Sequence, residues 1–182
     1  MGKLSVPFPR SYWVVRGKFL AGYYPGSRDP STAQRKLEGL LEHGVRHIIN
    51  LMEEHERNFR GETFVPYEQK LEIVAAKADI PIKLVHMPIR DTAVPTVEGM
   101  VTILDEIDAA IQQNPRVYLH CWGGRGRTGT VVGCYLARHG MGVGEAALDL
   151  LSTLRQNDPI SHLSSPETEI QAQFVRAWVK GT

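Results

Sequence analysis

Residues 116–129 read RVYLHCWGGRGRTG. The apolar RVYLH segment predicts a buried strand, and it runs into Cys121, a glycine-rich loop and the start of a helix. Glycines at three loop positions (Gly123, Gly124 and Gly126) allow successive backbone N–H groups to converge and form a nest for an anion. The helix that follows adds its positive N-terminal end. The segment therefore predicts a strand–loop–helix unit built around a bound anion.

The residue types in this unit indicate phosphoryl transfer. Cys121 would lie at the mouth of the nest, where the local positive potential favours the thiolate near neutral pH. Arg127 follows after five residues, and its planar guanidinium suits two phosphate oxygens. Thr128 adds a hydroxyl beside the sulfur, which could stabilise the departing thiolate. A nucleophile, converging donors and a bidentate arginine fit a phosphocysteine intermediate.

Working outward, apolar strands alternate with helical periodicities along the chain. The pattern predicts a hairpin at residues 12–16 and 19–22, strands at 46–51, 82–87 and 116–120, and helices at 31–43, 67–78, 97–113, 128–139, 144–156 and 166–179. This alternation predicts an α/β fold with a central, mainly parallel sheet flanked by helices. With 182 residues, of which 42% are hydrophobic, we expect a single domain over residues 1–182.

Ligands of such sheets bind outside the carboxyl ends of the strands. Three segments should meet there: the acidic stretch near Glu53, the loop that carries Asp91, and the glycine-rich loop. The run from Glu53 to Glu56 is typical of a solvated face, although by position it could also line one wall of the cleft.

Composition excludes several classes of protein. The net charge is +1, from 21 basic and 20 acidic residues, without the excess of positive charge expected of a protein that coats nucleic acid. Two cysteines are too few for a secreted disulfide scaffold, and no cluster has zinc spacing, so we expect neither metal nor cofactor. No signal-type apolar stretch follows residues 1–10, and no run is long enough for an integral membrane segment. We expect a cytoplasmic monomer.

The segment HCWGGRGRTG resembles the signature H-C-x5-R-[ST] of the cysteine-dependent protein tyrosine and dual-specificity phosphatase superfamily. AGYYPG (residues 21–26) and the IINL strand are also similar to small dual-specificity-like phosphatases. The resemblance covers roughly residues 12–179, but only the cysteine loop is highly specific. It implies a protein tyrosine phosphatase-like fold in which Cys121 forms the phosphoenzyme, Arg127 binds phosphate and His120 orders the loop. Loop positions Trp122, Gly123, Gly124, Arg125, Gly126 and Arg127 would bind substrate.

The resemblance also implies a general acid on a separate loop, some thirty residues before the cysteine. Asp91 has that spacing from Cys121, in MPIRDTAVPT. The competing interpretation is that Asp91 is only a turn former, and Asp29, Glu53 and Asp105 are other acids to weigh.

The implied activity is hydrolysis of phosphomonoesters on proteins, on phosphotyrosine and also on phosphoserine or phosphothreonine. Arg125 is a second cation inside the loop. It could be merely solvated, or it could favour substrates with several phosphates, because a basic residue at mid-loop occurs in phosphoinositide-directed members. The partner is therefore a phosphorylated protein, with a phosphoinositide as the alternative.

Two other classes remain open from the sequence alone. A sulfur-transfer protein or arsenate reductase could use a loop thiolate near an arginine, but would not need Asp91. A phosphate-binding module without turnover would not need the acid either. Cys121 could also be a structural thiol, and Cys134 among apolar helix positions indicates core packing.

The segment SPETEIQAQFVRAW resembles the C-terminal part of tyrosine-specific relatives, which places glutamines near the attacking water. Glu167 stands where the first glutamine would be, and Gln171 falls at the second. A helix cap near Ser165 followed by a packed helix explains the same residues. The role of Glu167 and Gln171 in positioning water stays open at this point.

Overall fold

A computed structural model describes residues 4–58 and 60–182 of the chain. In these residues the chain forms five strands and six helices. The strands are β1 (Ser11–Val15), β2 (Phe19–Gly22), β3 (Val45–Asn50), β4 (Lys83–His86) and β5 (Arg116–His120). The helices are α1 (Pro30–Glu42), α2 (Glu68–Lys77), α3 (Val97–Gln112), α4 (Arg127–Arg138), α5 (Glu145–Leu154) and α6 (Glu169–Ala177).

The strands form one mixed sheet in the order β1-β2-β5-β3-β4. The N-terminal hairpin of β1 and β2 is antiparallel, and the other three strand pairs are parallel. Residues 117–120 of β5 are all buried, as expected for a central strand of a mainly parallel sheet that is covered on both faces. The predicted α/β class and mainly parallel sheet are confirmed.

The helices fall into two packed groups. Helix α1 contacts β3 and α2, whereas α4 contacts β2, β5 and the helices α3, α5 and α6. Every residue of α4 except its last is buried, which makes it the central helix of the second group. Helix α3 begins at a Thr96 cap, whose hydroxyl accepts a hydrogen bond from Gly99 N at 3.0 Å. Such caps typically contribute about 1 kcal/mol.

The strand register shows where the segments that follow the strands leave the sheet. Gly22, His120, Asn50 and His86 are neighbours across β2, β5, β3 and β4, so these four strands end on one line. The segments that follow them therefore leave the sheet at the same edge.

Helix α6 starts three residues later than the sequence predicts. Its cap is Thr168 and not Ser165, because the Thr168 side chain accepts from Gln171 N while the Gln171 side chain accepts from Thr168 N. This reciprocal capping box satisfies the first N–H groups of the helix and fixes where it begins.

Candidate active site

The glycine-rich loop between β5 and α4 is held through its carbonyl oxygens. Those of Trp122, Gly123 and Arg125 accept hydrogen bonds from Tyr24 N (3.0 Å), Arg10 Nη2 (2.7 Å) and Ser165 Oγ (2.8 Å), respectively. In a trans peptide the carbonyl and the following N–H point in opposite directions. The N–H groups of Gly123, Gly124 and Gly126 therefore point away from the three donors that hold these carbonyls, which is compatible with an anion nest.

Gly124 is the position at which this loop requires glycine. Its φ is +67°, in the left-handed region that favours a residue without a Cβ. A Cβ there would also lie 2.5 Å from the carbonyl carbon of Gly22. The loop thus packs directly against the end of β2.

Cys121 lies at the start of the loop, with only 2% of its surface exposed. Thr128, in the first turn of α4, is completely buried, and its hydroxyl has no hydrogen-bond partner in the part of the chain that the structure describes. A buried hydroxyl without a partner is uncommon, and this one is available to a sulfur or phosphate ligand. Cys134 is buried within α4, and burial raises the pKa of its thiol.

Arg127 begins α4 and its side chain is 1% exposed. Both terminal nitrogens bind the carboxylate of Glu56, with Nη1 2.6 Å from Oε2 and Nη2 2.7 Å from Oε1. Nη1 also donates to the carbonyl of Ile89 at 3.1 Å. The expectation of a solvated acidic face is wrong for Glu56, whose side chain is only 7% exposed. A positive charge buried at a helix N-terminus needs an anion beside it, and Glu56 supplies one.

The remaining donors of Arg127 are aimed elsewhere. Nη2 lies 3.1 Å from Oδ1 of Asp91, and Nε is buried without a partner among the described residues. Burial by itself lowers the pKa of Arg127, but the hydrogen bonds of Glu56 and the nearby charges of Cys121, Glu56 and Asp91 raise it above its usual value. Arg127 is thus a fixed cation that keeps Nε for a further ligand.

Asp91 reaches the site from the loop after β4, and its side chain is 52% exposed. Two of the other acids that the sequence left open lie elsewhere: Asp29 caps α1, and Asp105 pairs with Arg138. The third, Glu53, lies on the same loop as Glu56 and lines the cleft. The structure therefore brings together Arg127, Asp91 and the acidic stretch, in the arrangement expected of the three segments.

Gln171 ties the Asp91 loop to the start of α6. Its Oε1 accepts from the backbone N–H groups of Glu167 and Thr168, both at 3.2 Å, and its Nε2 donates to the carbonyl of Ala93 at 3.1 Å. Thr168 Oγ1 also donates to the carbonyl of Thr92 at 3.2 Å. Both ends of the Gln171 amide are occupied, so in this arrangement it holds the loop that carries Asp91.

Glu167 and Arg125 form an ion pair across the mouth of the site. Arg125 is predicted to bind substrate, and in the structure its guanidinium meets a carboxylate of the same chain. A second phosphate on a ligand would have to compete with Glu167 for this cation. Glu167 carries no amide.

His120 closes the base of the site and is completely buried. Its Nδ1 lies 3.1 Å from the carbonyl oxygen of Cys121, and its Nε2 lies 2.7 Å from the hydroxyl of Tyr67. Because a carbonyl only accepts, Nδ1 carries the proton and Tyr67 donates to Nε2. Burial lowers the pKa of His120 to about 3, so the ring is neutral at physiological pH. It fixes the backbone at Cys121 without adding charge.

This buried histidine predicts a loss of stability in acid. Its folded pKa of about 3 is below the unfolded value of 6.5, so the unfolded chain binds the proton more readily. The contribution of His120 to the free energy of unfolding is then fully present above pH 6.5. It falls as the pH is lowered towards 3, by up to about 1.4 kcal/mol for each pH unit. Urea unfolding at pH 5 to 7 should show this slope, and His120→Gln should reduce it. The exposed His162→Gln is the control; equal slopes in all three proteins would contradict the prediction.

The buried ion pair makes a second prediction about stability. Glu56→Ala leaves the guanidinium of Arg127 buried with too few acceptors, which should cost about 3–5 kcal/mol of unfolding free energy. Glu53→Ala, on the same loop but exposed, should change it by no more than about 0.5 kcal/mol. Urea unfolding in phosphate-free buffer compares the two variants. Similar values for both would show that the Glu56 contact contributes nothing.

The described residues contain neither a helix that could span a membrane nor a cluster that could hold a metal ion. No helix there combines the length and the hydropathy needed to span a membrane. Within the same residues, no three side chains among His, Cys, Asp and Glu are grouped so that they could hold a metal ion.

Comparison with known proteins gives a family. The family model described as "Polymorphic toxin system, DSP-PTPase phosphatase" matches residues 25–141, which is more than half of the chain. Two uncharacterized proteins of Methanocaldococcus jannaschii are each 30% identical, over 110 and 105 residues. These alignments cover 56% and 54% of this chain, and 65% and 57% of the relatives, so the chain spans only about six tenths of their length.

Solved structures give the fold. Tk-PTP in its active form superposes with a TM-score of 0.67 at 23% identity, covering 93% of this chain and 95% of that chain. PTPMT1 in complex with PI(5)P has a TM-score of 0.63 at 19% identity, covering 92% and 95%. TpbA of P. aeruginosa in complex with pTyr has a TM-score of 0.62 at 14% identity, covering 96% and 88%. The sheet and its helices are thus arranged as in protein tyrosine phosphatases.

Proposed function

The chain belongs to the DSP-PTPase phosphatases, small dual-specificity-like members of the cysteine-dependent protein tyrosine phosphatase superfamily, and from this premise we propose that it hydrolyses phosphomonoesters on proteins. Phosphotyrosine is the first candidate substrate, with phosphoserine and phosphothreonine as further ones. The proposed route is a phosphocysteine intermediate on Cys121, without metal or cofactor.

One observation carries the proposal: the buried Arg127, directly after the glycine-rich loop, is fixed by Glu56 and has an Nε without a partner among the described residues. Such an arrangement stabilises a dianion and the charge that develops on its equatorial oxygens during transfer. Because Glu56 holds the guanidinium in place before substrate arrives, no reorganisation is needed at the moment of reaction.

The proposed reaction has two steps. The Cys121 sulfur attacks phosphorus, the ester P–O bond breaks, and Asp91 donates a proton to the departing oxygen. A water molecule then attacks the phosphocysteine, the S–P bond breaks, and Asp91 takes the proton from that water. The Thr128 hydroxyl stabilises the departing thiolate, and inorganic phosphate is released. His120 orders the loop throughout, through the Cys121 carbonyl.

A phosphoinositide is the alternative substrate. It is supported by Arg125 in the loop and by the PI(5)P complex of PTPMT1, which is similar in fold. The ion pair of Arg125 with Glu167 weighs against it, because that cation is already paired.

We also propose one catalytic domain over residues 1–182, since one continuous core runs from Phe8 to Trp178. We propose that the protein is a monomer. We place it in the cytoplasm, because a reducing compartment keeps the thiol of Cys121 usable.

The test is a panel of phosphopeptides and phosphoinositides, with release of inorganic phosphate as the readout and Cys121→Ser as the blank. The proposal expects hydrolysis of phosphotyrosyl peptides above the blank and competitive inhibition by vanadate. Hydrolysis of phosphoinositides but of no phosphopeptide would show that the substrate is a lipid. Vanadate binding without hydrolysis of any substrate would show that the protein is a phosphate-binding module without turnover.

A further inference from the structure

A cavity of about 760 Å³ opens beside the glycine-rich loop, at the carboxyl ends of β3 and β4. It shares its wall with the candidate active site. Glu56, which holds Arg127, lines it, and so does Phe64, whose ring packs against Trp122 with centroids 5.6 Å apart. A group that fills this cavity therefore lies next to a phosphoryl group bound in the loop.

The lining combines apolar walls with negative charge. Tyr24, Phe64 and prolines supply apolar surface, and four glutamates supply carboxylates: Glu53, Glu54, Glu56 and Glu68. None of the described lining residues is Lys or Arg, and the basic groups among them are the imidazoles of His55 and His86. The cavity thus offers apolar surface together with an excess of hydrogen-bond acceptors that carry negative charge.

The carboxylates are not equally available. Glu56 is taken by Arg127, as described above. Glu68 has one oxygen shielded from solvent without a hydrogen-bond partner in the described residues, and its other oxygen lies 3.8 Å from His86 Nε2, too far for a hydrogen bond. The Glu68 side chain as a whole is 32% exposed, so a donor that a ligand brings into the cavity can reach the accessible part of this carboxylate. Glu53 and Glu54 are exposed at the rim.

We propose that this cavity is a subsite for a Lys or Arg side chain that lies near the phosphorylated residue of a protein substrate. The inference rests on the proposed function and names its substrate class. The aliphatic stem of such a side chain would lie along the apolar wall. Its charged head would donate to Glu68 and the rim carboxylates, close to the faces of Tyr24 and Phe64.

The same cavity disfavours polyanionic substrates. A second phosphate of an inositol headgroup, or an acidic residue beside the phosphorylated one, would meet Glu53 and Glu54 without a neighbouring lysine or arginine in the lining. Like charges at such distances lower affinity and so contribute to specificity. The loop binds one phosphate, and the cavity next to it selects positive charge.

The test uses matched phosphotyrosyl peptides that carry Arg, Ala or Glu at one flanking position, scanned on both sides of the phosphotyrosine. At the position that reaches the cavity, kcat/KM for the Arg peptide should exceed that for the Ala peptide by about fivefold to tenfold. The difference should be in KM, because it reflects uniform binding. The Glu peptide should be the poorest of the three.

Glu68→Gln keeps the shape of the cavity but removes the charge of this carboxylate, so it should lower the Arg/Ala ratio towards one. Glu54→Gln, at the exposed rim, is a second variant that should lower the ratio less. Glu72→Gln is the matched control: an exposed glutamate on α2 outside the cavity, it should leave the ratio at the wild-type value.

The outcomes separate the subsite from the proposed function. Equal hydrolysis of the Arg and Ala peptides at every position overturns the subsite and leaves the phosphatase intact. A ratio that Glu68→Gln and Glu54→Gln leave unchanged overturns the assignment to this cavity. Hydrolysis of a phosphoinositide with no hydrolysis of any peptide overturns the proposed function itself.

Discussion

Cys121→Ser is expected to reduce phosphate release to the background level on every substrate, while phosphate and vanadate still bind. A serine hydroxyl is not ionised near neutral pH, so the nucleophile is lost. The inward N–H groups of the loop and the Nε of Arg127 do not depend on the sulfur, so the anion site should survive. Phosphate release measures the first effect, and calorimetric titration with vanadate measures the second.

Cys134 provides the matched control. It is the other cysteine of the chain and is packed in the interior of α4. Cys134→Ala should lower stability by creating a small cavity, but it should retain turnover at temperatures where the protein is folded. Hydrolysis that persists in Cys121→Ser would remove Cys121 as the nucleophile, and loss of vanadate binding would show that the sulfur holds the loop in shape.

The strand–loop–helix unit could be predicted because all of its signals lie in one short segment. An apolar strand, three glycines and the helix start are local features, and the structure places β5 and α4 where the pattern puts them. The spacing from Cys121 to Asp91 was informative for another reason. The strands before them, β4 and β5, lie on either side of β3, run parallel to it and end on the same line of the sheet, so the residues that follow them leave at the same edge.

Glu56 was missed because nothing local marks it. It lies in a polar run that is typical of a solvated loop, and its partner Arg127 is 71 residues away in sequence. Only the fold brings that carboxylate under the first turn of α4. The observation that could have found it was already in the sequence: an arginine at a helix N-terminus needs a compensating anion, and the acidic run follows a neighbouring strand.

Gln171 illustrates a related limit. Thr168 and Gln171 have the spacing of a capping box, so the cap that we expected near Ser165 could have been placed at Thr168, where the structure has it. The hydrogen bond from its Nε2 to the Ala93 carbonyl could not be anticipated, because it joins segments 78 residues apart. One side chain thus caps α6 and holds the loop of Asp91.

Asp91→Asn is expected to slow phosphotyrosine hydrolysis by about 10²–10⁴-fold, the usual contribution of general acid catalysis. It should slow an activated aryl phosphate, such as a nitrophenyl or fluorinated umbelliferyl ester, far less. The need for a proton depends on the leaving group: a phenolate of high basicity leaves poorly without one, whereas an activated phenolate does not require it. The ratio of the two kcat values is therefore the measurement.

The contact of Asp91 with Arg127 makes this test sharper. Asp91 Oδ1 lies 3.1 Å from Nη2, which also donates to Glu56 and whose second hydrogen would otherwise be available to a phosphate oxygen. Removing the charge should leave KM unchanged or lower it, so a loss confined to kcat separates acid catalysis from damage to phosphate binding. Asp105→Asn, an exposed acid on α3, should alter none of these quantities. If Asp91→Asn leaves the hydrolysis of both substrates unchanged, the acid lies on another residue, with Glu53 and Glu54 next in line.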